Sequence, residues 1–464
     1  MTTTQIAKRF LVLAFIALAA KPVAAQRQTP PPGGPPKAFT VPSHETYALP
    51  NGMHVTLVPY GNLPKVTLIL SVRAGTISQP ADTPGLARLA AELMKEGTAS
   101  RTAKQVAEEA ADMGGTLDVS MDNDETDISS DVLSEFGPQA AKLIADVAEH
   151  PKFPETELPR LKNDALRQLA VDMSVPQNIA QERFSKILYP NHPYGVVFPT
   201  QAGIEKTSVA AVKKFYEDNF GAARAHLYVA GRFDAEEVKK AVAESFGNWA
   251  SGPAPALNVP NAQPHHVLDF TDRPGAAQST LLVGLPVPGP NSPDTFPLKV
   301  TNSLLGGSFG SRITSNIREQ KGYTYSPFST VATHYHTAYW AESADVTTQF
   351  TGPSLKEIFG EITRLQNEAP SEAELKGIET YLSGIFVIQN SSRGAVIAQL
   401  SFVDLQGLGD GYLKNWVQNV NAVTPEQVQE MTRKYIRPND MTIVVVGDKS
   451  KIAEQLKPFE PSAN

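Results

Sequence analysis

Two stretches of this chain carry one pattern. "TSVAAVKKFYEDNFGAARAHLYVAG" at 207–231 and "TPEQVQEMTRKYIRPNDMTIVVVG" at 424–447 each run from a threonine through an amphipathic helix and a turn into an apolar β run ending on glycine. Thr207 and Thr424 stand 217 positions apart. A second pair of anchors keeps that offset: Glu157-Leu158 in "ETELPRLKNDALRQL" and Glu374-Leu375 in "SEAELKGIETYLSGIF". Two anchors in one register point to an internal duplication. A chain of 464 residues is too long for one ordinary core, so two units of similar build are expected.

The local patterns fill in those units. "YALPNGMHVTLVPY" reads as two strands around an Asn-Gly turn. "KVTLILSVRAGT" is another strand, and "HVLDFT", "STLLVGLPVP" and "AYWAESADVTT" are strands of the second half. "PGLARLAAELMKEGT" is a helix with Thr83 as its cap, Pro84 in its first turn and Gly97 at its end. "DTFPLKVTNSLLGG" is a helix, and long helices are expected at 137–149, 155–172, 355–367 and 392–407. The fold class is therefore α+β, with an open mixed sheet covered by helices in each half. The halves are expected at 42–250 and 265–455, joined by the proline-rich 251–264.

The first residues are of another kind. Lys8 and Arg9 precede the short apolar run "FLVLAFIALAA", and small residues at Val23 and Ala25 suit cleavage after Ala25. Residues 1–25 thus read as an export signal and the protein as periplasmic, in a Gram-negative bacterium, with no membrane contact after cleavage. The run is too short for a comfortable membrane span. Five prolines and two glycines in 30–36 make 26–41 a linker. A net charge of −7 argues against nucleic-acid binding. With no cysteine there is no disulfide, no thiolate metal site and no cysteine nucleophile.

At this point the chain resembles a family, the pitrilysin/insulinase peptidases with an inverted zinc motif. The opening hairpin, the helix from Pro84 with the segment after it, "HPYG" at 192–195 and above all "LLGGSFGSRITSNIREQKGYTYSPFS" at 304–329 carry the resemblance, over roughly residues 42–450. The family motif His-x-x-Glu-His places two ligands one helical turn apart, with a general base between them. Here those positions hold Arg88, Ala91 and Glu92. Both imidazoles and the base are gone. Arg cannot ligate a cation, and one carboxylate does not make a zinc site. Arg88 and Glu92 read instead as an i,i+4 ion pair in the weaker orientation. The distal glutamate of active relatives falls near Pro159, where no carboxylate stands in register. No metal is expected in this chain. His334 and His336 share a strand face by spacing, but two ligands without a third are weak. "GGSFGS" joins two helices, which makes a phosphate cradle a poor reading.

The second half keeps more. Arg318 and Tyr325 are seven residues apart in "REQKGYTY", the spacing of an Arg/Tyr pair in active relatives. The resemblance implies that such a pair faces the zinc across a chamber, Arg holding a substrate carbonyl and Tyr donating to the oxygen that gains charge. Arg318 is expected to end a helix, Gly322 to allow the turn, and Tyr325 to start a strand; Tyr323 competes for the role. Gly306, Gly307, Ser308, Gly310 and Arg312 are expected to bind substrate, as the glycine-rich stretch does in a non-catalytic mitochondrial relative. The resemblance implies the metal-free subunit of a heterodimeric zinc peptidase. Its homologous partner would bear His-x-x-Glu-His and the zinc, and a peptide would be the substrate. The alternatives are a peptide-binding or scaffold protein of the same fold, or a solitary peptidase with another metal site.

Overall fold

The computed structural model describes residues 40–256, 258–409 and 411–461. The expected export signal at 1–25 lies outside them, as does most of the 26–41 linker. The first half contributes β1 (Glu45–Ala48), β2 (His54–Pro59), β3 (Lys65–Val72), β4 (Leu117–Met121), β5 (Thr126–Leu133) and β6 (Ala225–Gly231). The second contributes β7 (Val267–Asp272), β8 (Gln278–Pro288), β9 (Phe328–His334), β10 (Thr337–Thr347) and β11 (Thr442–Gly447). They form two sheets, ordered β1-β2-β6-β3-β5-β4 and β7-β11-β8-β10-β9. With β1 set aside, the two orders coincide strand for strand. β2 runs parallel to β6 and β7 to β11, and the other neighbours are antiparallel. The class is α+β and the halves are duplicates. Among the described residues of 251–264 there is no helix or strand.

The helices follow the same offset. Pro176–Leu188 and Arg393–Gln406 begin 217 positions apart, as do β6 and β11. Thr424 caps its helix with a full capping box, Gln427 returning the bond. Thr207 does not cap. Ser208 does so one residue later, and the Thr207 hydroxyl donates to Gly203 O at 2.8 Å.

The two halves lock by exchanging these offset-related helices. Pro176–Leu188 of the first half packs on β8 and β11, and Arg393–Gln406 of the second packs on β3 and β6. The period of two along each central strand makes this possible. On β8, Leu281, Val283 and Leu285 face the second half's own helices, while Leu282 faces the visiting helix. On β3, Val66, Leu68 and Leu70 face the first core and Ile69 the other side. The central strands β3, β6, β8 and β11 are therefore covered on both faces, which is why they read as nearly unbroken apolar runs. Polar pairs pin the exchange. Arg393 donates to Asp131 (2.9 Å) and Thr67 (3.0 Å), and Arg183 to Asp269 (2.7 Å). "HPYG" lies in this interface: the Tyr194 ring stacks on His334 with centroids 4.2 Å apart.

Glu125 is caught in the same junction, where Ser401 of the Arg393–Gln406 helix donates to it at 3.3 Å. Burial, and then Asp127 and Asp122, push its carboxyl up to about 8, against the pull of Arg73 and Ser401. The group ordinarily titrates near 4.5. Below that pH it is protonated folded and unfolded alike. As pH rises from there to about 8, the unfolded chain ionises first and the fold loses stability. Glu125→Gln has nothing to ionise. Its stability relative to wild type should rise across that window and level off above it, by on the order of 2 kcal/mol after allowance for solvent. Denaturant melts at pH 4 and pH 9 check this; a variant equally displaced at both pH values overturns it.

Candidate functional site

The Leu86–Met94 helix is almost wholly apolar: seven of its nine residues are buried. Thr83 is not its cap. Gly85 is, at φ +111°, and the Gln79 side chain accepts from the N–H groups of Gly85 (3.0 Å) and Ala87 (3.3 Å). Glycine is needed because of that φ, and because a Cβ would meet Pro199 at 2.8 Å. Arg88 and Glu92 stand on the exposed stripe, but they do not pair. Glu92 takes Lys95 at 3.0 Å, with the acid N-terminal to the base, the orientation that also suits the helix end.

Ala91 is buried, and beside it lies a cavity of about 430 Å³. Its far wall comes from the Leu158–Asp172 helix. Arg160, Asp164, Gln168 and Asp172 line it, so the residues opposite the degenerate motif lie further along than Pro159 and include carboxylates. Those carboxylates are engaged. Asp164 meets Arg160 and Arg167, Glu96 meets Arg160, and Asp172 accepts from Gln168 at 2.9 Å. A guanidinium, a methyl and a lysine-paired carboxylate do not fit zinc. Among the described residues no group of three His, Cys, Asp or Glu is placed to hold a metal ion. His334 and His336 do not share a strand face either: β9 ends at His334, and His336 turns the hairpin at φ +54°.

The second cluster grows from the glycine-rich turn after the Thr295–Leu305 helix. At Gly306 a Cβ would fall 2.4 Å from a Glu342 oxygen and 2.5 Å from Ser329 Oγ; at Gly307, 2.4 Å from Asn302 Nδ2. Gly306 lets the chain pass close over β9 and β10, and Gly307 lets it fold back against Asn302 of the preceding helix. Gly310 faces open space. Ser308 is buried. Arg312 is nearly buried and makes two 2.8 Å bonds to Glu374 on the Glu372–Gln389 helix. Its guanidinium therefore ties the turn to that helix. Glu342, under Gly306, is buried with neither oxygen bonded, and burial holds its carboxyl well above the usual range.

Arg318 lies in a π-helical turn, Thr314–Gln320. Such turns are rare and concentrate at functional sites. Lys321 N–H reaches back five residues to Asn316 O, and Gly322 reverses the chain at φ +66°. Tyr325 does not start a strand; it sits in the loop before β9. The structure brings the two side chains together all the same. The Arg318 guanidinium lies 4.7 Å from the centroid of the Tyr325 ring and 4.5 Å from that of Phe309. Tyr323 is elsewhere, stacked on Phe350 at 4.3 Å. Phe309 and Tyr325 are 67% and 77% exposed, so a cation is held between two aromatic faces at the surface, each worth about 0.5–1 kcal/mol. The sequence motifs assign Phe309 no role. A large aromatic inside "GSFGS", with no strand or helix to bury it, was the available signal.

A family model described as insulinase (peptidase family M16) matches residues 57–197, and one described as peptidase M16 inactive domain matches residues 206–382. The chain belongs to the insulinase family. The first match contains Arg88, Ala91 and Glu92, and the second contains the glycine-rich turn, Arg318 and Tyr325. Among insulinase-family relatives, a Bacillus subtilis protein named uncharacterized zinc protease YmxG is 24% identical over 84% of this chain and 94% of its own length. A Helicobacter pylori protein named non-peptidase homolog YmxG is 22% identical over 84% of this chain and 90% of its own. A crystal structure described as a peptidase M16 inactive domain from Pseudomonas fluorescens superposes with a TM-score of 0.81 at 25% identity, covering 87% of this chain and 98% of that one. A Helicobacter pylori protease shares the fold with the same TM-score at 18% identity, covering 88% and 100%. With a metal helix stripped of its donors, this chain is an inactive-type member of the insulinase family.

Proposed function

We propose that this chain is the metal-free subunit of an exported, periplasmic two-chain peptidase. It closes a chamber against a homologous chain that carries His-x-x-Glu-His. One observation carries the reading. Arg318 and Tyr325 are brought together at the surface of the second half, yet the cavity beside the degenerate metal helix is lined only by residues between Gly85 and Ile204. Neither member of the pair lines that cavity. A second chain's metal helix, facing Arg318, completes a site.

In that arrangement the Arg318 guanidinium, its Nε on Glu319 at 3.1 Å, holds a backbone carbonyl of an extended peptide with N–H donors that converge on the one oxygen. The Tyr325 hydroxyl donates to the oxygen that gains charge as the peptide bond is attacked. Zinc, with the attacking water and the base, belongs to the partner. β9 is an edge strand that begins three residues after Tyr325, so its free backbone edge can take up the peptide beside the pair.

The test is peptidase activity and zinc content, first of this chain alone and then of a mixture with a His-x-x-Glu-His homologue from the same genome. Activity confined to the mixture, with zinc on the homologue, is the expected result. Activity and zinc in this chain alone overturn the reading. No activity in either case makes it a peptide-binding or scaffold protein.

A further inference from the structure

The cavity beside Ala91 has not closed. Where the family motif carries a glutamate, a methyl group stands, and Leu89, Val119, Leu161, Leu169 and Phe198 form the apolar part of a lining whose far wall also carries Arg160, Asp164, Gln168 and Asp172. Its volume, about 430 Å³, lies in the range of ordinary ligand pockets. Most of the charged side chains along it already have partners within the fold. Arg160 is taken by Glu96 and Asp164, Glu92 by Lys95, and Asp172 accepts from Gln168. Arg88 has no hydrogen-bond or ion-pair partner for its side chain among the described residues. It stands in the first turn of its helix, where the peptide dipoles also favour an anion.

A cavity with an apolar wall segment and one unpaired guanidinium beside it suits a ligand with both features on adjacent atoms. An internal aspartate or glutamate offers the carboxylate with only a short methylene stem. The last residue of a peptide offers both, its α-carboxylate one bond from the carbon that bears its side chain. We propose that this cavity binds the free carboxyl terminus of a peptide ending in a large apolar residue, with the side chain against Leu89, Ala91 and Leu161 and the carboxylate on Arg88. The site is separate from the Arg318 cluster and needs no second chain.

The experiment uses the full chain alone, with a dye-labelled hexapeptide ending in phenylalanine, as the free acid and as the C-terminal amide. Fluorescence anisotropy at low and moderate salt reads the affinity. The acid should bind about tenfold tighter than the amide, a difference that shrinks with salt. Arg88→Gln should bring the acid down to the amide's affinity. Ala91→Leu, which fills the cavity, should weaken both. Equal binding of acid and amide overturns the proposal, as does Arg88→Gln binding like wild type or no binding up to millimolar peptide. The acid–amide comparison needs no variant, so a misfolded mutant cannot obscure it. No partner is present, so a negative result here leaves the split-site reading standing, and loss of the split site leaves this one.

Discussion

Tyr325→Phe, in the mixture with the metal-bearing homologue, lowers kcat by roughly 10²- to 10³-fold, the effect of removing one donor to a developing oxyanion. The substitution removes one hydroxyl. The ring that stacks on Arg318 at 4.7 Å remains, so the guanidinium keeps its place and KM should change little. The partner's zinc content should not change. The prediction separates a transition-state role from a packing role, because a packing role is satisfied by phenylalanine. Turnover equal to wild type would remove Tyr325 from the chemistry. Arg318→Lys is the companion measurement. Lysine keeps the charge and loses the fork and the stacking plane between Phe309 and Tyr325, so its loss should appear mainly in KM if Arg318 holds the substrate carbonyl.

Phe184→Ala destabilises the protein by about 3–5 kcal/mol, the ordinary cost of emptying a buried phenylalanine site. Against a total of about 5–15 kcal/mol for a native protein this is a large share. Phe184 is fully buried in the Pro176–Leu188 helix and meets the ring of Tyr339 of the other half edge-on, with centroids 5.4 Å apart. It belongs to the cluster that joins that helix to β8, β10 and β11. The loss should therefore fall on the docking of the halves as well as on the helix itself. Urea unfolding followed by tryptophan fluorescence measures it. A change below about 1 kcal/mol would mean the helix does not hold the halves together, since such small effects belong to surface positions.

The exchange of helices was only half legible. The helix at 392–407 is plain from its apolar run, and it stands as Arg393–Gln406. Its counterpart in "VPQNIAQERFSKIL" was not read. Its buried stripe is thin, Ala180, Phe184 and Leu188 at intervals of four, with charged residues between. Sequence pattern also cannot say on which half a helix lands. That depends on which sheet face is left uncovered, and both faces of a fully buried strand look alike in sequence.

The site divides in the same way. The loss of the metal helix was readable from residue types, because a guanidinium and a methyl cannot be ligands wherever the chain puts them. The spacing of Arg318 and Tyr325 was readable too. What spacing could not supply was the π-helical turn that carries Arg318, or Phe309 as the second face of its clamp. The partner of Glu92 was misread for a local reason: two cations lie within a turn of it, and side-chain orientation chooses Lys95 over Arg88.

By itself, then, the sequence determined the duplication, the α+β class and the loss of the motif's donors at 88, 91 and 92, because each follows from residue type and period along the chain. Only the tertiary structure decided that each half lends a helix to the other's sheet, that Arg312 is spent on Glu374, and that a cavity with a free guanidinium survives beside Ala91. Those are facts about which surfaces meet. They depend on contacts between residues far apart in sequence, which no local pattern encodes.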